Sequence, residues 1–143
     1  MEVTRVNFTV VHGYMLGFVV IGSWAVVAFW ALALSFTRYE ETPTFWRAVS
    51  LAQILLLLQL LLGLGLLVVG RRPGPPGDDS AGLSLLFHLA YGIVFPLVVL
   101  LVGHKLAREG RFGGAHRVFA VVGLVIFGLT SRAWAVGVSG FSG

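Results

Sequence analysis

The sequence predicts an all-α membrane protein, a single bundle of four transmembrane helices in up-down-up-down order. Of the 143 residues, 57% are hydrophobic and only 11% are charged, whereas a soluble domain carries roughly 25% charged residues. The charged residues also divide the chain into four apolar segments, at about residues 8–36, 47–70, 80–103 and 115–137. Each segment is long enough for a membrane-crossing helix, which needs about 20 residues.

The first segment is expected to be a permanent span, because no charge occurs between Val6 and Thr37. The apolar region of a cleavable signal peptide is much shorter, at about 7–15 residues. Helices are expected throughout, since backbone polar groups in lipid must be satisfied internally. The links between segments are short, and Pro43 is expected to interrupt helical structure in the first of them. Short links make consecutive helices antiparallel neighbours.

The basic residues predict the orientation in a cell inner or plasma membrane. The first and third links hold six of them: Arg38, Arg47, Lys105, Arg108, Arg111 and Arg117. The opposite side holds three outside the spans: Arg5, Arg71 and Arg72. Cytoplasmic loops carry the excess of Lys and Arg, so both termini are expected on the extracytoplasmic side.

Composition and motifs exclude several function classes. The net charge of +4 is small and its arginines flank apolar segments, which indicates topology and no nucleic-acid partner. The absence of cysteine excludes disulfides, thiolate metal sites and covalently attached c-type haem. Every acidic residue lies in a tail or a link, which disfavours a coupled ion transporter because such proteins use intramembrane acids.

Two histidines, His12 and His88, lie inside apolar segments at matched depth. An intramembrane imidazole is costly unless it faces the protein interior and has a partner. At about 1.5 Å of rise per residue, both lie some 6–12 Å from the outer side. Two neutral imidazoles on facing helices can bind a haem iron from both sides. The alternatives are hydrogen bonds to neighbouring groups in the bundle, or a metal or quinone site.

The surroundings of the two histidines favour a cofactor pocket. Gly17 and Gly92 are small residues near His12 and His88, and they would leave room for a macrocycle. Pro96 removes the helical hydrogen bond to the Gly92 carbonyl and allows a kink there. Two tyrosines are expected to line the pocket or to donate hydrogen bonds to it: Tyr14 and Tyr91.

An arginine inside the fourth segment is the third element of the predicted site. Arg132 lies at about the level of the two histidines, and a membrane arginine needs an anionic partner. Haem propionates that point to the outer surface would supply one. Arg71 and Arg72, at the outer end of the second segment, could serve the propionates too. The alternative role of Arg132 is simple extension to the interface.

A second candidate pair, His104 and His116, lies at the other end of segments three and four. It would hold a second haem, or alternatively have an interfacial role in a basic link. Gln53 and Gln59 are expected to form interhelical hydrogen bonds, with a quinone contact as the alternative.

The chain contains a faint internal repeat. VVHGYMLG in the first segment is similar to LFHLAYG in the third, since each has a histidine, then a tyrosine and then a glycine. Two related helical hairpins would bring His12 and His88 face to face.

With these histidines and glycines, the chain resembles the small transmembrane b-type cytochromes, four-helix bundles in which histidine pairs hold haem. The resemblance implies haem b, one or two groups, and electron transfer in a respiratory-type chain rather than a stand-alone enzyme. The alternative is a non-catalytic accessory subunit of a larger respiratory or photosynthetic complex. Expected partners are membrane lipid, such subunits and a quinone. The chain departs from the group because its second segment has no histidine.

Overall fold

The computed structural model describes residues 8–37, 39–75, 77 and 79–140, with the backbone alone at position 111. It contains four long helices: α1 (Phe8–Ser35), α2 (Pro43–Val68), α3 (Ala81–Arg108) and α4 (Ala115–Ser139). A short 3₁₀ turn, Arg111–Gly113, precedes α4. All four helices are long and apolar enough to cross a membrane. The prediction of an all-helical protein with four membrane-length segments is confirmed. Arg5 and Arg38, used for the orientation, lie outside the described residues.

Helix α2 begins at Pro43, earlier than the predicted start near residue 47. The Thr42 side chain caps this end, because its Oγ1 accepts a hydrogen bond from the Phe45 N–H at 3.3 Å. Proline suits the first position of a helix, where its missing N–H would have no intrahelical partner. Pro43 therefore starts the helix instead of ending the preceding link.

The closest packing is between α1 and α4. A Cβ at Gly123 would lie only 2.9 Å from the Cα of Ala28, so the two backbones nearly touch there. Trp24, Val27 and Ile126 are fully buried in the core of this pair. Helix α2 packs mainly on α1, and α3 packs mainly on α4. The α1–α4 pair is therefore the centre of the protein.

Helices α2 and α3 are peripheral by comparison. In the most apolar stretch of each helix, 33% of the residues are buried in α1 and 44% in α4, against 11% in α2 and 6% in α3. Their exposed faces carry mostly leucine and valine. Such faces suit contact with lipid chains, and the looser packing leaves space between the helices.

Two helices contain a π-helical turn beside a predicted ligand. Val11–Leu16 in α1 includes His12, and Ala90–Val94 in α3 begins two residues after His88. The second turn includes Gly92, where Pro96 predicts a local irregularity. π-Helical turns shift the register of the side chains that follow and occur frequently at functional sites.

Candidate functional site

The structure brings His12 and His88 together from two different helices. Their ring centroids lie 6.2 Å apart, with the ring planes at 65°. Both residues are half-buried. They line one cavity of about 390 Å³ that residues from all four helices enclose. This volume lies within the range of about 300–1,000 Å³ that is common for small-molecule and cofactor sites.

The separation of the two rings is compatible with a shared metal. Two imidazoles bound to opposite sides of one ion, at about 2.0 Å each, have ring centroids roughly 6–6.5 Å apart. Aromatic rings in ordinary contact also lie about 4.5–7 Å apart. The distance between the rings is therefore typical both of a shared metal and of an ordinary aromatic contact.

The ring of His88 is held by a backbone carbonyl. Its Nδ1 lies 2.9 Å from the Ala133 oxygen. Because a carbonyl only accepts, Nδ1 carries the proton and Nε2 keeps its lone pair. Metal-binding histidines commonly have this arrangement, since the bond to the second nitrogen fixes both tautomer and ring orientation.

His12 is held through its backbone instead. Its carbonyl accepts a hydrogen bond from Gln59 Nε2 at 2.9 Å and another from the Gly17 N–H, five residues on in the π-helical turn. The Nδ1 atom of His12 is buried and has no hydrogen-bond partner among the described residues. A buried polar atom without a partner costs about 1–3 kcal/mol, so this nitrogen requires an explanation.

Two glycines make room for the two rings. A Cβ at Gly63 would lie 2.8 Å from Cε1 of His12, and a Cβ at Gly137 would lie 3.0 Å from Cε1 of His88. Neither glycine is among the residues predicted from the sequence. The internal repeat could have found them, since they follow His12 and His88 by similar intervals of 51 and 49 residues.

The glycines predicted from the sequence also line the cavity. A Cβ at Gly17 would meet Trp134 Cδ1 at 3.4 Å, and one at Gly92 would meet Ala133 Cβ at 3.6 Å. Both distances are near ordinary van der Waals contact. On the cavity side, Gly17 and Gly92 therefore leave more space for a side chain than Gly63 does. A Cβ at Gly17 would in addition lie 3.2 Å from the carbonyl oxygen of His12.

The two predicted tyrosines have different environments. Tyr14 lines the cavity, is about half exposed, and makes an edge contact with Trp134 at 6.3 Å between ring centroids. Tyr91 stacks on Phe87 at 5.8 Å and is not among the lining residues. Of the two, only Tyr14 has the predicted location.

The arginines that line the cavity are Arg71 and Arg72, and Arg132 is not among them. Arg132 is exposed. Arg71 and Arg72 line the cavity together with the following link. That link is tied to α4 by a hydrogen bond of 2.9 Å from the Gly74 N–H to the Gly137 oxygen. Two positive charges therefore lie at the cavity, beside the glycine that accommodates the His88 ring.

The second histidine pair lies elsewhere. Nε2 of His104 is 2.7 Å from Nε2 of Gln53, and its ring contacts Phe119 at 5.2 Å between centroids. The Nδ1 of His116 is 2.6 Å from Glu41 Oε1. Neither histidine lines the cavity, and each ring has a different partner. This arrangement does not support a second haem.

The contact between His116 and Glu41 links the first interhelical segment to the start of α4. The same Glu41 oxygen also accepts the His116 backbone N–H at 2.9 Å. Burial raises the pKa of the Glu41 carboxyl, but the hydrogen bonds from His116 outweigh burial and leave this pKa below its ordinary value. The ionised carboxylate is also favoured by the positive end of the helix dipole.

Two further unpartnered polar atoms belong to residues that line the cavity. Gln59 Oε1 and Trp134 Nε1 are buried and, within the described part of the chain, have no hydrogen-bond partner. One is an acceptor and the other a donor. The cavity is thus mainly apolar with a few polar atoms, as cofactor sites usually are.

Across residues 8–37, 39–75, 77 and 79–140, no group of three or more His, Asp or Glu side chains is placed to hold a metal ion. A haem iron needs only two protein ligands, since the macrocycle supplies the others. Comparison of the chain with protein-family models, curated proteins and solved structures gives no significant match. Functional inference therefore rests on the site itself.

Proposed function

We propose that this chain is a membrane b-type haem protein, or the haem-bearing subunit of a complex, that transfers electrons in a respiratory-type chain. One haem b would be held between α1 and α3, and His12 and His88 are the residues that would bind its iron. The four helices cross an inner or plasma membrane in up-down-up-down order, in contact with lipid. Both termini are extracytoplasmic, which places the haem near the outer side.

The observation that carries this proposal is the meeting of two intramembrane imidazoles in one cavity. A single buried histidine is easily explained by a local hydrogen bond. Two such rings from separate helices, each with a glycine that leaves space for it, form a more specific arrangement. The Nδ1 bond of His88 further leaves its Nε2 available for a metal.

Bound haem would supply a one-electron Fe(III)/Fe(II) couple. With both His12 and His88 holding the haem, the site would favour electron transfer over stand-alone enzymatic chemistry. The residues of this chain would set the potential through burial and hydrogen bonding. The apolar lining favours the iron state of lower net charge.

Arg71 and Arg72 would interact with the propionates, in place of Arg132. Both lie in the link that lines the cavity, and this link is fixed to α4 through Gly74. A guanidinium can form paired hydrogen bonds with a carboxylate. Arg71 and Arg72 would therefore help to hold the haem through its carboxylates.

Absorbance spectroscopy of the protein purified in detergent, with and without added haemin, tests the proposal. We expect the Soret band and reduced α-band of a low-spin b haem, and one haem per chain in a pyridine haemochrome assay. His12→Ala and His88→Ala should each abolish the low-spin spectrum. His104→Ala and His116→Ala are the matched controls and should retain it. An unchanged spectrum in the His12→Ala, His88→Ala double variant would refute the site.

The second candidate function is an accessory subunit of a larger respiratory or photosynthetic complex. It is favoured by the low burial of α2 and α3, which leaves two broad apolar faces for partner helices. This function predicts co-purification with larger subunits and no haem bound to the isolated chain. A coloured, stable, free-standing protein would contradict it. A quinone would be an additional partner.

A further inference from the structure

We infer that Gln59 is the residue that orients the His12 ligand, with its Oε1 accepting a hydrogen bond from His12 Nδ1–H. This inference rests on the proposed function, since it assigns a positioning role within the same site. It also explains two buried atoms, one on each of these residues, that have no hydrogen-bond partner within the part of the chain that the structure describes.

The Gln59 amide is already attached to His12. Its Nε2 donates to the His12 carbonyl oxygen at 2.9 Å. Because a carbonyl only accepts, this bond determines which end of the amide is nitrogen and which is oxygen. Gln59 Oε1 is therefore an acceptor beside the same residue whose Nδ1 needs a partner. A modest rotation of the His12 ring, or one bridging water, would connect them.

The internal repeat supports the same pairing. In the second hairpin, the His88 ring lies against Gly137, and its Nδ1 is bonded to Ala133, four residues before that glycine. In the first hairpin, the His12 ring lies against Gly63, and the residue four before that glycine is Gln59. Gln59 thus has the position that Ala133 has in the second hairpin.

The two ligands would then differ in a functionally useful way. His88 is oriented by a backbone carbonyl, which no substitution of Ala133 removes. His12 would be oriented by the side chain of Gln59, and a single substitution can remove this hydrogen-bond acceptor or replace it with a charged one. A stronger acceptor at position 59 makes the imidazole a better donor to iron, which favours the ferric state. Position 59 should therefore control the midpoint potential.

The test compares Gln59→Leu and Gln59→Glu with wild type, with Gln53→Leu as the matched control. Gln53 is on the same helix and its side chain contacts His104. We expect Gln59→Leu to bind haem about 10- to 100-fold more weakly, which is typical when the hydrogen-bond partner of a ligand is lost. Its midpoint potential should rise. Gln59→Glu keeps an acceptor, should bind haem, and should have a lowered potential. Gln53→Leu should change neither quantity.

The His12 tautomer, measured without haem, separates positioning from a merely structural role. A carboxylate at position 59 lowers the potential through its charge alone, so the potential of Gln59→Glu does not distinguish the two roles. Wild-type haem affinity and potential in Gln59→Leu, or an unchanged His12 tautomer in this variant, would overturn the inference.

A haem-free measurement distinguishes this failure from failure of the proposed function. ¹⁵N NMR of histidine-labelled protein without haem, assigned with His12→Ala, should show His12 with its proton on Nδ1. In Gln59→Leu this tautomer should lose population. If wild-type His12 carries its proton on Nε2, the inference fails whether or not haem binds. If wild type binds no haem but His12 shows the Nδ1–H tautomer, only the proposed function fails.

Discussion

Gly63 on α2 lies against the ring of His12 on α1, at a distance that leaves no space for a side chain. A Cβ at position 63 would be 2.8 Å from Cε1 and 3.4 Å from Nε2 of His12. Real Cβ contacts are essentially never as short as the first of these, so any larger residue must displace the imidazole. The orientation of His12 toward His88 therefore depends on a glycine of a third helix.

Replacement of Gly63 by valine should abolish low-spin haem binding while leaving the helices intact. The added methyl groups would occupy the space of the His12 ring and move it out of line with His88. Haemin titration followed by absorbance would measure the loss, and circular dichroism would measure the helix content. Gly65→Val is the matched control, because a Cβ at Gly65 has no neighbour within 4 Å. Equal haem affinity in the two variants would contradict the role of Gly63.

Substitution of the cavity arginines should weaken haem binding, whereas substitution of Arg132 should not. Arg71 and Arg72 line the cavity and Arg132 does not. An exposed ion pair contributes about 0.3–1 kcal/mol, so Arg71→Gln and Arg72→Gln should each reduce haem affinity about twofold to fivefold. Raised salt should reduce the difference. Haemin titration of the three single variants is the measurement, with Arg132→Gln as the control. If Arg132→Gln lost more haem affinity than Arg71→Gln and Arg72→Gln, the prediction from the sequence that Arg132 pairs with the propionates would be supported instead.

The sequence predicts the four helices well because charge and length determine where a chain can cross lipid. The meeting of His12 and His88 also follows from their depth and from the repeat. What could not be predicted is how each helix is rotated about its own axis. Helix α2 is rich in leucine on every side, so nothing in its pattern shows that Gly63 faces His12.

The location of Arg132 away from the cavity could not be predicted for the same reason. Depth along α4 places Arg132 near the histidines, but its side chain is on the exposed face of the helix. The path of the link after α2, which brings Arg71 and Arg72 to the cavity, includes a backbone hydrogen bond from Gly74 to Gly137 that joins residues distant in sequence. The contact of His116 with Glu41 joins residues 75 positions apart, and neither residue indicates the other in sequence.

The hydrogen bond between Glu41 and His116 should contribute to the stability of the folded protein, and this contribution should decrease in acid. The hydrogen bonds from His116 lower the pKa of Glu41 in the folded protein below its ordinary value of 4.5. A carboxyl with a lowered folded-state pKa contributes stability above its unfolded pKa and loses that contribution as the pH falls through the folded value. We therefore expect the difference in Tm between wild type and Glu41→Gln to be largest above pH 4.5 and to shrink in more acidic buffer.

Thermal unfolding in detergent at a series of pH values is the measurement for this prediction. Glu40→Gln is the matched control, since Glu40 is exposed and immediately precedes Glu41. Its Tm should follow that of wild type at each pH. A Glu41→Gln difference that stays constant, or that grows in acid, would contradict the assigned sign.

The close approach of α1 and α4 at Gly123 should be sensitive to an added side chain. A Cβ there would lie 2.9 Å from both the Cα and the Cβ of Ala28, so the helices must separate to accept Gly123→Ala. Overpacking of this kind costs roughly 1–3 kcal/mol. Gly128→Ala is the control on the same helix, because a Cβ at Gly128 has no neighbour within 4 Å. Gly128→Ala should be neutral or stabilising, since alanine has a higher helix propensity than glycine.

The same substitution at Gly123 should also affect haem binding, because α1 carries His12 and α4 carries the carbonyl that holds His88. We expect Gly123→Ala to lower the haem affinity as well as Tm. A lowered Tm with unchanged haem affinity would show that the cavity end of the bundle tolerates separation of the central pair.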